Sequence, residues 1–278
     1  MAKPTITLPA ADPLERGGLL GAIPRLGLDG PPRWIAEGVT FEGGHCRSDV
    51  ETFRVAVANC ADDLFSGDPI DHNDCYPWYE QAAFTMKDRV YNSNLALDGE
   101  EALATRLRDD FDRTLSYVFA TTLVSATAGI TTLPSVATAV KGGTTSTAYG
   151  KAVLAAVGDE LSRRLGNRTG NIYISATDLA NIALEDGEVE WRNGAYRTRE
   201  GHRIILDAGF TEHVAPGGGA AGSDTYVYGS GPLAYETTAA TVNINRLGAG
   251  GVSNLINGFI DSFGIFVFDP CAAVVAKV

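Results

Sequence analysis

Apolar residues recur at helical spacing through one long stretch of the chain. Leu103, Leu107, Phe111, Leu115 and Val118 fall three to four residues apart, the repeat of an amphipathic helix. Ahead of them, Asp98-Gly-Glu-Glu101 supplies a start, with Asp98 as cap and Glu101 placed to reach back to it. The spacing predicts a helix over 98–125, a rod about 42 Å long at 1.5 Å per residue. Asp109 and Arg113 lie four apart on another face, set to pair weakly. A second helix is expected over 147–165, with Leu154, Val157, Leu161 and Leu165 as its buried stripe. Arg163 and Arg164 suit its negative end and Gly166 stops it.

Between and around these helices the pattern changes to short apolar runs. Runs at 39–41, 53–57 and 84–90 read as strands. A buried strand is expected at 171–174, followed by a short helix to about residue 184 that Ser175 caps. Segments 189–192 and 195–198 flank Asn193-Gly194, a strong two-residue hairpin signal. Further strands are expected at 203–206 and 226–228. Towards the end, 239–247 runs into a glycine-rich loop, and 259–268 closes at Asp269-Pro270. A last strand covers 271–278. This reads as a long hairpin followed by a strand that locks the chain into a core. Helices and mostly antiparallel strands alternate irregularly, so the fold class is α+β.

The first 33 residues are rich in proline and glycine. Their apolar patches are too short for independent structure, so they read as an extended arm ordered by lying on a neighbour. The net charge is −12, from 34 acidic and 22 basic residues. That balance argues against a nucleic-acid-binding surface as the main function. The basic residues are mostly arginine, which suits fixed bidentate contacts to carboxylates. No apolar stretch approaches the ~20 residues that span a bilayer. The first residues lack a signal peptide's apolar core, so cytosolic synthesis and no membrane contact are expected.

Candidate chemistry is sparse. Cys46, Cys60, Cys75 and Cys271 form no CxxC pair. With His45 and His72 they match no familiar zinc spacing. The first three read as free thiols, with a disulfide as the next option, and Cys271 as a small core residue. Asp62, Asp63, Asp68, Asp71 and Asp74 form an acidic loop that lacks the ligand order of a calcium-binding loop; solvation is the simpler account. No phosphate-binding glycine motif occurs. Gly229-Ser230-Gly231 is half of a nucleophile elbow, without the full G-x-S-x-G. His202, Asp207 and His213 are the one set that suggests a hydrolytic triad, yet no nucleophile, base and orienting group are brought together by spacing. No cofactor or metal is expected, and no enzymatic activity.

The element order and several segments resemble the major capsid proteins of tailed bacteriophages. These share the Hong Kong ninety-seven capsid fold, which encapsulin shells also use. The resemblance lies in the long helix, in GNIYISATDLANIAL, in GHRIILDAGF followed by PGGGAAG, in TYVYGSGPLAYETTAATVNINRL and, nearest of all, in FGIFVFDPCAAVVAKV. It covers residues 95–278. It implies an N-terminal arm over 1–33 and an extended β loop over 34–95. It implies a peripheral domain over 96–133 and 225–262, holding a spine helix and a long hairpin. An axial α/β domain would take 134–224 and 263–278.

It also implies self-assembly through pentamers and hexamers into an icosahedral shell around double-stranded DNA, bound without sequence specificity. The subunit would be assembled in the host cytoplasm and reside in the virion, beside a portal and a decoration protein. No long charged helical segment precedes the arm, so a separate scaffold protein is expected. Expected assembly contacts are Leu19, Ile23, Trp34, Trp78, Lys87, Arg106, Arg113, Gly250, Asn254 and Asn257. Some family members form a lysine–asparagine cross-link. Lys87 is the only lysine of the loop region and has no assignable partner, so none is expected here. Two other readings stay open: an encapsulin-like compartment, and an α+β hydrolase using His202, Asp207 and His213.

Overall fold

The computed structural model describes residues 18–27, 39–40, 78–79, 82–125, 131–140, 148–182, 188–245 and 255–278. The chain enters with a short helix, α1 (Gly18–Ala22). Two short strands, β1 (Val39–Thr40) and β2 (Trp78–Tyr79), pair antiparallel. Strand β3 (Ala82–Tyr91) then runs without a break into α2 (Asn92–Val124), a helix of 33 residues. At 1.5 Å rise this rod is about 50 Å long. Asp98 was expected to cap it, but the helix starts at Asn92, so Asp98 lies inside. Pairing of β3 along its whole length fixes the chain up to Tyr91, and the helix propagates directly from that fixed end.

Among the described residues, the buried apolar positions of α2 are Leu103, Leu107, Phe111, Phe119, Ala120, Leu123 and Val124, with Leu115 packed against the same core. Val118, expected on that face, is 37% exposed. The row from Leu103 to Leu123 advances by four residues at a time, each step overshooting a 3.6-residue turn by about 40°, and Ala120 and Val124 widen it at the end. It therefore winds round the rod. Leu103, Leu107 and Phe119 meet the hairpin sheet, and beside them Ser116, Tyr117 and Ala120 meet α1 and the 3-10 turn Ala208–Glu212.

That hairpin sheet has four strands. Strand β12 (Leu255–Phe268) is 14 residues long, enough to take three partners. Along one edge lies β3, paired from Leu255↔Tyr91 to Gly264↔Ala82. Along the other lie β11 (Thr241–Asn245) and β10 (Leu233–Thr237) in tandem, both antiparallel. Between them the chain bulges: Thr237 faces Gly264 while Thr241 faces Asp261, so one more residue sits on the outer strand. Thr238 repairs the ladder there. Its N–H donates to the Phe263 carbonyl at 2.9 Å, and its hydroxyl accepts from the Phe263 N–H at 3.0 Å.

The second sheet has seven strands in the order β4-β13-β9-β5-β8-β7-β6. They are β4 (Thr138–Ala139), β5 (Asn171–Ile174), β6 (Val189–Arg192), β7 (Ala195–Thr198), β8 (Arg203–Leu206), β9 (Tyr226–Ser230) and β13 (Val274–Lys277). A short helix, α3 (Leu133–Val136), precedes β4. Helix α4 (Val153–Arg164) covers one face, and α5 (Ala176–Asn181) follows β5. Alternation along the strands splits the core in two. Tyr173 and Val275 face the side of α2, while Ile172, Ile174, Val274 and Ala276 face α4. A sheet buried on both faces reads as continuous apolar runs, which is why 171–174 and 274–276 carry so few polar residues.

Local signals hold where the chain itself decides them. Ser175 caps α5 by accepting from the Asp178 N–H at 2.9 Å. Gly166, at φ 62°, ends the helical path after α4. Asn193 and Gly194 both take positive φ, 53° and 73°, in the β6–β7 turn, the requirement of a type I′ hairpin. Pairing choices differ from expectation. The segment at 226–228 was grouped with the long hairpin, but β9 lies between β13 and β5 in the seven-stranded sheet. Conversely 263–268 stays in the hairpin sheet as part of β12. The locking strand β13 is found as expected, between β4 and β9. The strand expected at 53–57 lies outside the described residues.

Candidate assembly surface

The arm segment 18–27 is fastened to the rest of its own chain. Asp207, at the start of the 3-10 turn, is 6% exposed. Its Oδ2 accepts from the Leu19 N–H at 2.8 Å and from the Ser116 hydroxyl on α2 at 3.0 Å. Its Oδ1 accepts from the Gly209 N–H at 2.8 Å. One carboxylate thus joins arm, long helix and turn. Farther on, Leu26 N–H donates to the Tyr235 carbonyl at 2.7 Å and Tyr235 N–H to the Pro24 carbonyl at 3.1 Å. Arg25 pairs with the buried Glu236 and donates to the Thr237 carbonyl at 2.8 Å. Residues 24–26 thus make strand-like contact with β10 of the same chain. Leu19 and Ile23, expected as contacts between subunits, are buried in the subunit's own core at 1% and 7% exposure.

The groups that suggested a triad serve the fold separately. His202 is fully buried. Its Nδ1 accepts from the Gly170 N–H at 3.0 Å, so the proton sits on Nε2, which donates to the Ser162 hydroxyl at 3.0 Å. Burial holds its pKa below the ordinary range, which favours this neutral form. His213 accepts from the Tyr226 N–H at 3.2 Å through Nε2, and its Nδ1 donates to the Phe210 carbonyl at 3.0 Å. Asp207 holds the arm. Ser230 of the half elbow is buried; it donates to the Gly231 carbonyl at 2.9 Å and accepts from the Tyr173 hydroxyl at 2.7 Å. On α4, Glu160 is 3% exposed and held by Arg163 and Arg164. Burial acts to raise its pKa, but the two guanidinium hydrogen bonds outweigh that and hold it low.

The outer surface carries four large apolar side chains, none of which the sequence reading placed there. Among the described residues these are Tyr117 and Val118 on α2, Trp191 on β6 and Phe263 on β12. Trp191 is 49% exposed and stacks edge-on against Tyr196, its cross-strand partner, at 5.2 Å between ring centres. A tryptophan between Glu190 and Arg192 on an edge strand was the available signal. Arg106 and Arg113 lie on the exposed side of α2, where Arg113 pairs with Asp110 at 3.3 Å, one residue from the expected Asp109. Trp78 lies on β2. Lys87, on β3, is opposite Phe259, and Asn257 pairs with both Arg89 and Asn245. The seven expected contacts among the described residues are therefore spread over the arm segment, β2, α2 and the hairpin sheet. Trp34, Gly250 and Asn254 lie outside the described residues, as do Cys46, Cys60, Cys75 and the acidic loop. Among the described residues no cluster of three metal-ligating side chains occurs, and no helix is long and apolar enough to cross a membrane.

A rod helix backed by a long-stranded hairpin sheet, beside a two-faced sheet, has a counterpart among solved structures. One from Gordonia phage Cozz superposes with a TM-score of 0.50 at 13% identity, over 73% of this chain and 71% of that one. The chain has the tailed-phage capsid fold. Other structures with this capsid fold match more loosely. The holo-SrpI encapsulin complex from Synechococcus elongatus PCC 7942 gives a TM-score of 0.47 at 11% identity, over 73% and 76% of the two chains. The capsid of a native GTA particle gives 0.42 at 13% identity, over 79% and 80%. No family model matches the chain, and no curated protein matches it in sequence.

Proposed function

We propose that this chain is a shell subunit, a structural protein without catalytic activity that assembles into the icosahedral head of a tailed phage. The superposition on the Gordonia phage structure carries the reading. The surface supports it: apolar side chains stand exposed on three different elements, the rod, the hairpin sheet and the edge strand β6. Head-to-tail rings need complementary patches on different flanks, and many weak contacts close a shell. In this reading α2 is the spine helix, the hairpin sheet belongs to the peripheral domain and the seven-stranded sheet to the axial one. Trp78, Lys87, Arg106, Arg113 and Asn257 remain candidate contacts, and Trp191 and Phe263 join them. Pentamers and hexamers enclose double-stranded DNA, with a separate scaffold protein, a portal and a decoration protein as partners. Assembly takes place in the host cytoplasm.

The test is the mass and image of the native protein. Megadalton closed particles are expected, with nuclease-protected DNA when they form during infection. A stable monomer or dimer across salt and concentration sinks the proposal. Closed particles that hold protein cargo and no DNA point instead to a compartment of the encapsulin kind.

A further inference from the structure

Two arginines face each other across the β7–β8 pair, Arg197 opposite Arg203. Like charges directly opposite one another on a sheet are destabilising, so the pair requires an explanation. Each guanidinium is anchored by one backbone contact. Arg203 donates from Nη1 to the Ala22 carbonyl of the arm, and Arg197 from Nη1 to the Gly201 carbonyl at 2.8 Å. A guanidinium has five N–H donors in a fixed fork, so both keep donors in reserve. Among the described residues no carboxylate pairs with either. Burial and the Arg197 charge pull the Arg203 pKa below its ordinary value, the mark of a cation short of compensation.

Both arginines line a cleft of about 250 Å³, with Pro24 from the arm, Thr169 and Asn171 at the start of β5, and Leu233 at the start of β10. That is below the roughly 300–1,000 Å³ of pockets for drug-sized ligands and suits one small charged group. We infer that this cleft binds an oxyanion, a single carboxylate or phosphate group seated between Arg197 and Arg203. The planar fork of arginine matches both. The bound group cancels the repulsion between the strands. Because Arg203 also holds Ala22, it tightens the arm on the sheet at the same time. The inference does not depend on what the chain assembles into.

The test uses the purified full-length chain. Inorganic phosphate and, separately, glutarate are titrated against sodium chloride at matched ionic strength. Thermal unfolding and hydrogen exchange at Leu26 are followed. A saturable rise in Tm with added protection at Leu26 is expected. A response to phosphate alone identifies a phosphate group as the ligand, and one to glutarate alone a carboxylate. Arg197→Gln leaves the Arg203–Ala22 contact in place. It is expected to bind at least about tenfold more weakly, the scale of a lost charged hydrogen bond, and to be more stable than the parent in anion-free buffer. No response beyond that of sodium chloride overturns the inference. So does an equal response in Arg197→Gln, or an anion-free variant less stable than the parent.

Discussion

Two glycines set how closely the long helix can approach its neighbours, and they differ in a way that can be measured. A Cβ at Gly209 would sit 2.5 Å from the Tyr117 carbonyl oxygen and 2.8 Å from the Thr121 nitrogen, both backbone atoms of α2. At Gly258 it would meet the Leu107 Cδ1 at 2.7 Å and the Leu103 Cδ2 at 3.3 Å, the ends of flexible side chains. Overpacking costs about 1–3 kcal/mol. Gly209→Ala should fall at or above the top of that range and Gly258→Ala near the bottom, by chemical denaturation. Equal losses would show that the helix shifts as easily as a leucine rotates. Acid should also weaken the subunit, in two steps. His202 has its pKa lowered on folding, so the unfolded chain binds the proton more readily and stability declines as pH falls below 6.5, the ordinary value. Glu160, also lowered on folding, adds stability that is present above 4.5 and lost as pH falls through its folded value. His202→Leu removes the first step and leaves the Gly170 N–H without its acceptor, at a cost of about 1–3 kcal/mol. Denaturation midpoints at pH 7.5, 5.5 and 4 read both effects.

Strand β13 shows what an element owes to its surroundings. Val274, Val275 and Ala276 are almost wholly buried, and the strand is hydrogen-bonded on both sides, to β4 and to β9. Val274→Asp puts an unpaired charge into the core facing α4, and is expected to leave the chain insoluble or molten by near-ultraviolet circular dichroism. A folded, soluble variant would mean the strand is dispensable. This strand was legible in the sequence, as were the Ser175 cap, the Gly166 stop and the Asn193-Gly194 turn. Each is decided within a few residues by a cap, a positive φ or an unbroken apolar run. What the sequence did not reveal is decided at a distance. Phe119 takes the inward position in place of Val118 because it packs edge-on against Tyr235 and Phe266 of the hairpin sheet, more than a hundred residues away. The destination of β9 depends on pairing with β5 and β13, far away in the chain. Leu19 and Ile23 were expected to contact a neighbour because Asp207, which accepts from the Leu19 N–H, lies 188 residues away in the chain.

For the whole subunit, the exposed aromatics separate folding from assembly. Trp191 is half exposed and meets Tyr196 edge-on. Trp191→Ser should change the subunit's stability by no more than about 0.5 kcal/mol, as surface substitutions do, yet reduce the yield of closed particles by light scattering. Unchanged assembly would remove the β6 edge from the contact set. The candidate surface was only partly legible. The resemblance pointed to the rod and the hairpin, but an exposed ring on a strand looks like a core residue until its neighbours are known.

The long strand β12 and the locking strand β13 follow, in the chain, every strand they pair with. The hairpin sheet has β12 at its centre, and β13 joins β4 to the rest of the seven-stranded sheet. Translation delivers the chain from its N-terminal side, so neither sheet can close while these two segments are still inside the ribosome. A nascent chain therefore displays its rod helix without the sheet that covers it, and cannot present a finished surface to its neighbours on the same message. If the chain assembles as proposed, the order of elements is expected to hold back association until translation is nearly over. Ribosome-stalled chains that end at residue 250 should be cleaved readily by a protease within 98–125, and full-length released chains should resist. Equal resistance would mean that the subunit folds as it emerges.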